Sequence, residues 1–137
     1  MIKFLQLIID SFTKKYFQLR SRASRKEYCA FIFFSIFCDL LIKTLFFLSY
    51  KVFIVISFLY LVFIFIPALT ITVRRLHDLN LSGYWNFMII PISCCLAIDK
   101  YKNISLIAGI IIIIFTLLLM FFKGTSTSNK YGEPPIN

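Results

Sequence analysis

Long apolar stretches constrain this chain more than any other feature of its sequence. They cover residues 29–49, 52–72, 83–98 and 104–122. A helix of about 20 apolar residues is long enough to cross the hydrocarbon core of a bilayer, and it satisfies its own backbone hydrogen bonds there. The sequence therefore predicts an all-α integral membrane protein with four transmembrane helices, which form a single domain over residues 1–137.

The composition and the charge of the chain agree with a membrane location. Hydrophobic residues make up 60% of the 137 residues and the mean hydropathy is +0.87, whereas soluble domains are roughly 45–50% apolar. The net charge of +9 comes from Lys and Arg residues crowded into the first 26 positions and a few short loops. This pattern is typical of attraction to anionic lipid headgroups, and no nucleic-acid-binding motif accompanies it. We therefore expect membrane lipids as partners and no nucleic acid.

The order of the spans and the positions of the basic residues predict the topology. Only Tyr50 and Lys51 separate the first two spans, which demands a tight helical hairpin. With four spans, eleven Lys and Arg residues share one side with both termini and three lie on the other side. The excess of positive charge places the N- and C-termini in the cytoplasm.

The span at 83–98 is the weakest, because it has 16 residues and contains Pro91. A three-span topology, with this segment re-entrant, is the alternative and would put the tail outside.

The polar segments at the two ends of the chain carry further predictions. Residues 1–27 hold apolar side chains at helical spacing, namely Leu5, Ile8, Ile9, Phe12, Tyr16 and Leu19. This spacing predicts an amphipathic helix in the membrane interface, with a packed cytoplasmic helix as the alternative. The tail at 123–137 is polar and rich in Gly, Ser, Asn and Pro, so we expect a cytoplasmic tail that is only partly ordered.

Three polar motifs share the cytoplasmic face in this topology. They are SRASRKE at 21–27, RRLHD at 74–78 and NKYGEPP at 129–135. Arg side chains suit phosphate and carboxylate groups, so the motifs predict a polar cluster that holds the helices together and binds an anion such as a phospholipid headgroup. Its candidate residues are Arg22, Arg25, Glu27, Arg74, Arg75, His77, Asp78, Ser82, Gly83 and Trp85, joined by Asn129, Tyr131 and Gly132 of the tail.

Spacing within the second motif predicts individual contacts. Arg74 and Asp78 are four residues apart, so we expect an ion pair between them on one helix face. His77 and Asp78 are adjacent and point in different directions on a helix, so they are poorly placed to pair. In the alternative, Arg74 and Arg75 extend to lipid phosphates, while His77 and Asp78 close the helix end.

The segment that follows this motif is expected to begin the third helix. Ser82 and Gly83 would stand at its start, where free N–H groups favour an anion. Tyr84 and Trp85 are expected in the interfacial aromatic belt. Nonspecific contact of the basic residues with anionic headgroups is the alternative to a defined anion site.

Asp39 and Lys43 are charged residues inside the first span. Charges at this depth are costly and are candidates for proton or ion pathways, so a small transporter or channel component is the alternative function. Four short helices enclose little space, and transport would therefore need an oligomer. The competing explanation is an intrahelical pair that neutralises both charges, since the two residues are four apart.

The polar motifs also follow a known pattern. They are SRKEY at 24–28, RRLHD at 74–78 with SGYW at 82–85, and NKYGEP at 129–134. From about residue 10 to its end, the chain resembles the YhaH-like bacterial inner-membrane proteins, domain-of-unknown-function family 805. It departs from the usual pattern at Ser21, at Cys29 and at residues 133–135. The resemblance implies a multi-pass protein of the bacterial inner membrane, and it implies no mechanism.

Catalysis is the least favoured function. His77 has no nucleophile or metal-binding partner in the sequence, and no Gly-rich phosphate or dinucleotide loop is present. We therefore expect neither a catalytic residue nor a cofactor nor a metal ion. The predicted function is a noncatalytic membrane protein that binds lipid headgroups or a partner, which is another membrane protein or a second copy of the chain.

Overall fold

A computed structural model of the protein describes residues 2–88 and 102–135. The helices in these ranges are α1 (Ile2–Phe12), α2 (Arg25–Leu48), α3 (Tyr50–Asp78) and α4 (Lys102–Phe121). The third predicted span, 83–98, lies mostly outside the described residues, and only a helical turn at 85–88 represents it.

Three of the described helices are long and apolar enough to cross a membrane. The most apolar 18-residue stretches of α2, α3 and α4 have mean hydropathies of 2.2, 2.8 and 3.0, and at most 11% of the residues in these stretches are buried. Side chains this apolar and this exposed require lipid around them. The all-helical, membrane-spanning character predicted from the sequence is therefore confirmed for the described residues.

A single residue, Ser49, joins α2 to α3. Its backbone is extended, with φ −161° and ψ 119°. Its N–H donates to the carbonyl of Leu45 at 2.9 Å, and its own carbonyl accepts from the N–H of Phe53 at 2.9 Å. Ser49 thus ends one helix and begins the next. The predicted tight hairpin is confirmed, although Tyr50 and Lys51 form the first turn of α3 rather than the connection.

The N-terminal helix is shorter than its apolar spacing predicted. It ends at Phe12, whose ring stacks on that of Phe63 at 5.3 Å. The chain then leaves the helix and crosses α3, where Thr70 Oγ1 donates to the carbonyl of Tyr16 at 2.9 Å. Because this crossing replaces the helix, the predicted continuation of the apolar face to Tyr16 and Leu19 is wrong.

The buried core lies at one end of the helices. It consists of Ala23, Tyr28, Phe31, Ile71, Leu76 and Leu119. These residues come from the start of α2 and the residue just before its cap, and from the ends of α3 and α4, so α3 and α4 run in the same direction and α2 runs against them. The polar motifs flank the same positions in the sequence, and the core therefore forms the base of the candidate site.

Asp39 and Lys43 lie on α2 and away from this core. The Nζ of Lys43 is 2.6 Å from Asp39 Oδ2, and both side chains are about half exposed, at 61% and 48%. Asp39 is twelve residues beyond Glu27, which corresponds to about 18 Å along the helix axis. The two charges thus form the intrahelical pair that the sequence offered as one explanation.

The Asp39–Lys43 pair yields a test of its role. Asp39→Asn leaves Lys43 unpaired within an apolar segment, and we expect a loss of about 2–3 kcal/mol of stability in lipid. The double variant Asp39→Asn with Lys43→Met removes both charges and should recover most of that loss. Thermal unfolding of the protein in lipid nanodiscs measures both. A double variant no more stable than the single one would show that Asp39 does more than neutralise Lys43.

Candidate functional site

Five charged side chains are buried where α2 begins and α3 ends, and we refer to them as the charge cluster. The charge cluster consists of Arg22, Glu27, Arg74, Arg75 and Asp78, whose exposed fractions are between 0% and 5%. A buried charge is tolerated only if it is paired and hydrogen-bonded. The positions of these side chains therefore depend on one another.

Glu27 connects the N-terminal segment to α2 and α3. Ser24 caps α2, because its Oγ accepts from the N–H of Glu27 at 3.2 Å. This places Glu27 in the first turn of the helix, where a negative charge is favourable. The Glu27 carboxylate accepts from Arg74 Nη2 at 2.5 Å and from Lys15 Nζ at 3.2 Å. Arg74 also donates through Nε to Ser21 Oγ at 2.9 Å.

Asp78 lies between two guanidinium groups. Its Oδ1 accepts from Arg22 Nη2 at 2.8 Å and from Arg22 Nε at 3.0 Å, and its Oδ2 accepts from Arg75 Nη1. The predicted pair of Arg74 with Asp78 is therefore wrong. Arg74 pairs with Glu27 of α2 instead. Arg75, which is three residues before Asp78, pairs with Asp78 in its place.

Arg75 connects the end of α3 to the end of α4. Its side chain is fully buried, and it donates to the carbonyls of Leu119 at 2.8 Å, Ala23 at 3.2 Å and Phe122. The last carbonyls of a helix have no partner within it and carry a partial negative charge, so a guanidinium group satisfies them. The alternative in which Arg74 and Arg75 extend to lipid phosphates is wrong, since neither side chain leaves the core.

Arg22 holds the tail against the helix ends. Its Nη1 donates to the carbonyls of Thr127 at 2.8 Å and Gly132 at 3.3 Å, and its Nη2 donates to the carbonyl of Thr125. The N–H of Thr125 donates in turn to the carbonyl of Asp78 at 2.9 Å. The tail was expected to be only partly ordered, but residues 123–135 fold onto the charge cluster, where their carbonyls satisfy the buried donors of Arg22.

The tail motif forms a turn that covers His77. Asn129 and Gly132 pair through their main chains, at 3.1 and 3.0 Å, and Gly132 has a φ of +117°, which favours glycine. The side chain of Asn129 donates to the carbonyl of His77 at 2.9 Å. The ring of Tyr131 stacks on that of His77, with centroids 3.8 Å apart and planes at 8°. Asn129 and Tyr131 thus contact α3 directly, whereas Gly132 shapes the turn and accepts from Arg22.

His77 does not form an acid–base pair with Asp78. Its side chain is 9% exposed, and its Nδ1 has no hydrogen-bond partner among the described residues. The carboxylate of Asp78 is occupied by Arg22 and Arg75. Within the described ranges, no group of His, Cys, Asp and Glu residues is arranged to hold a metal ion.

The loop after α3 contributes Ser82, Gly83 and Trp85 to this region. The helical turn begins at Trp85, two residues after the start of the predicted span, and Ser82 Oγ accepts from the N–H of Tyr84 at 3.4 Å before it. Gly83 approaches α3 closely: a Cβ there would lie 2.8 Å from Val73 Cγ1. Trp85 is 51% exposed, so it does not join the charge cluster.

Two further residues, Asn80 and Gly124, have structural roles that were not predicted from the sequence. Asn80 ends α3 with a φ of 60°, and the N–H of Leu81 donates to the carbonyl of Leu76 at 2.9 Å, which together form a Schellman motif. Gly124 lies against Asp78, since a Cβ at Gly124 would be 1.8 Å from Asp78 Oδ2. Asn and Gly after apolar helices were available signals for both.

Arg25 remains outside the charge cluster. It is exposed and lines a cavity of about 330 Å³ beside the cluster, and we call this the polar cavity. Its lining consists of Ser24, Arg25, Arg75, Asp78, Lys123, Gly124, Thr125, Ser126, Pro134 and Pro135. The polar cavity thus lies between the start of α2 and the tail, with Arg75 and Asp78 buried behind it.

The charge cluster falls within the part of the chain that a known family shares. The family described as "Protein of unknown function (DUF805)" matches residues 16–133. The chain belongs to this DUF805 family. It is 32% identical over 127 residues to the "Inner membrane protein YhaI" of Escherichia coli strain K12 and to that of strain O157:H7, which covers 91% of this chain and 92% of each relative. No solved structure matches it. The predicted family is confirmed, and the relatives of this chain are inner membrane proteins.

Removal of one carboxylate tests the charge cluster of this DUF805 protein. Asp78→Asn leaves Arg22 and Arg75 buried without a counter-charge, and we expect a loss of about 3–5 kcal/mol of stability. Glu133→Gln, which changes an exposed carboxylate of the tail, is the matched control and should have little effect. Thermal unfolding in nanodiscs compares the two. Equal stabilities would mean that the main-chain carbonyls alone satisfy both arginines.

Gly124 tests the attachment of the tail. Gly124→Ala places a methyl group on the Asp78 carboxylate, so the tail must move away. We expect limited proteolysis to cleave residues 123–135 several times faster, roughly in line with 1 kcal/mol or more of local destabilisation. Ser128→Ala, at an exposed tail position, should not change the rate. Similar cleavage of both variants would contradict the close approach of Gly124 to Asp78.

Proposed function

We propose that this DUF805 protein is a noncatalytic inner-membrane protein that binds the phosphate groups of anionic lipids in the polar cavity. The observation that carries this proposal is the presence of two exposed cations, Arg25 and Lys123, at the rim of a polar cavity with hydroxyl groups in its wall. An Arg fork and a Lys ammonium group are suited to phosphate.

The binding role falls to different residues from those that the sequence favoured. Arg22, Arg74 and Arg75 donate to carboxylates and carbonyls of the chain itself, so most of their donors are already occupied. Arg25 and Lys123 form no ion pair with any described residue. Their charges therefore remain available to a ligand.

The start of α2 adds to the attraction for an anion. Arg25 is the first residue of a 24-residue helix, and Ser24 caps it. The first N–H groups of a helix lack intrahelical partners and carry a partial positive charge. A phosphate group near Arg25 would benefit from both the side chain and the helix terminus.

A four-span topology with both termini in the cytoplasm belongs to the same proposal. The parallel course of α3 and α4 supports it, because two parallel spans in one chain need a return crossing between them. The positions of Lys and Arg support it as well, since eleven of fifteen lie on the side of the termini. The polar cavity would then face the anionic lipids of the cytoplasmic leaflet, with α1 in the interface.

Lipid retention tests the polar cavity. The double variant Arg25→Gln with Lys123→Gln removes two charges that contribute about 1 kcal/mol each near an anionic surface, so retained anionic lipid should fall about tenfold or more. Lys51→Gln, at an exposed lysine in the first turn of α3, is the matched control. Native mass spectrometry of the gently purified proteins counts the bound phosphatidylglycerol and phosphatidylethanolamine.

Two outcomes would contradict the proposal. In one, the double variant retains as much phosphatidylglycerol as the wild type. In the other, the wild type retains the two lipids in proportion to their abundance in the membrane. A protein that co-purifies in place of lipid and is lost in the double variant would instead identify an acidic partner protein.

The alternative function, a small transporter or channel component, gains no support from the structure, because the carboxylate of Asp39 is paired with Lys43.

A further inference from the structure

A separate apolar cavity lies between α3, the loop after it and the tail. It has a volume of about 450 Å³, and Leu69, Val73, His77, Gly83, Phe87 and Tyr131 are among the residues that line it. We call it the apolar cavity. Its size falls within the range of about 300–1,000 Å³ that is usual for ligand sites. None of its lining residues belongs to the charge cluster or to the polar cavity.

The apolar cavity changes in character along its length. Leu69, Val73 and His77 are each four residues apart, so they form one stripe on α3 that extends about 12 Å along the axis. Leu69 belongs to the apolar part of the helix, whereas His77 belongs to its polar last turn. An occupant that matches this wall is apolar at one end and polar at the other.

His77 provides hydrogen-bonding capacity at the polar end. His77 is 9% exposed, and its imidazole ring is part of the lining of the apolar cavity. A Cβ on Gly83 would lie 3.4 Å from His77 Nε2, so the absence of a side chain at Gly83 leaves space beside the ring.

The rim of the apolar cavity faces the surroundings of the helices. Tyr84 and Phe87 line it and are 79% and 63% exposed. Exposed aromatic side chains next to an apolar span are typical of contact with lipid at the membrane interface. A molecule that reaches the apolar cavity from this side comes from the bilayer.

We propose that the apolar cavity holds one acyl chain of a bilayer phospholipid, with an ester carbonyl at the end near His77. The chain packs along Leu69 and Val73, and the imidazole ring donates a hydrogen bond to the ester carbonyl. This site is distinct from the polar cavity, which recognises phosphate, and the two proposals do not depend on each other.

The protein contains its own control for this proposal. A second apolar cavity of about 490 Å³ lies between the ends of α3 and α4, and Leu118 and Phe115 are among its lining residues. Its described lining contains no buried polar side chain without a partner. It offers an acyl chain a similar apolar wall, but its polar lining residue is the exposed Lys123 rather than a buried imidazole.

Photolabelling tests the apolar cavity directly. The full chain is reconstituted in vesicles of phosphatidylethanolamine and phosphatidylglycerol that contain a trace of phosphatidylglycerol with a photoreactive acyl chain. After irradiation, peptide mass spectrometry should find Val73 and Phe87 labelled well above Phe33, an exposed residue on α2. Leu69→Trp fills the cavity and should reduce the labelling roughly fivefold or more, as expected for a site that loses its volume.

Control variants separate the possible outcomes. Leu118→Trp fills the second apolar cavity and should leave the labelling of Val73 and Phe87 unchanged. Leu19→Trp, at a half-exposed position that also lines the apolar cavity, repeats the test if Leu69→Trp does not fold. The variant that lacks the charges of Arg25 and Lys123 should keep the labelling. The proposal is overturned if Val73 and Phe87 are labelled no more than Phe33, or if neither filling variant lowers their labelling.

Discussion

The pairing of Asp78 with Arg22 and Arg75 is the interaction on which the rest of this end of the helices depends. Arg22 belongs to the segment before α2, and Arg75 belongs to α3 and reaches the end of α4. The charge cluster contains three guanidinium groups and two carboxylates, so one positive charge is left over. The terminal carbonyls of α3 and α4 and those of the tail carry partial negative charge, and they offset this excess.

A buried charge cluster at the ends of the helices can be explained by the weakness of apolar forces between helices in a membrane. Lipid tails are as apolar as the helix surfaces, so burial of apolar area does not drive one helix against another. The described spans accordingly bury few of their residues. Hydrogen bonds and ion pairs at the helix ends have directions and partners, and they define which ends meet. We infer that the charge cluster specifies the arrangement of the helices more than it stabilises them, in keeping with the small net gain of buried ion pairs.

The sequence predicted the helices and the identity of the site residues better than their contacts. Span length alone located α2, α3 and α4, because the thickness of the bilayer sets it. The pairing of Arg74 with Glu27 was not predictable from spacing, since the two residues are 47 positions apart. Most partners of Arg22 and Arg75 are main-chain carbonyls, which every residue possesses and no motif marks. The order of the tail was missed for the same reason.

The position of the tail in the charge cluster has a consequence for biosynthesis. The carbonyls of Thr125 and Thr127, which Arg22 needs, leave the ribosome after every described helix has been made. Until then Arg22 lacks part of its hydrogen bonding. The contact between the tail and Arg22 therefore forms after the other contacts of the charge cluster, whose residues all precede the tail in the chain.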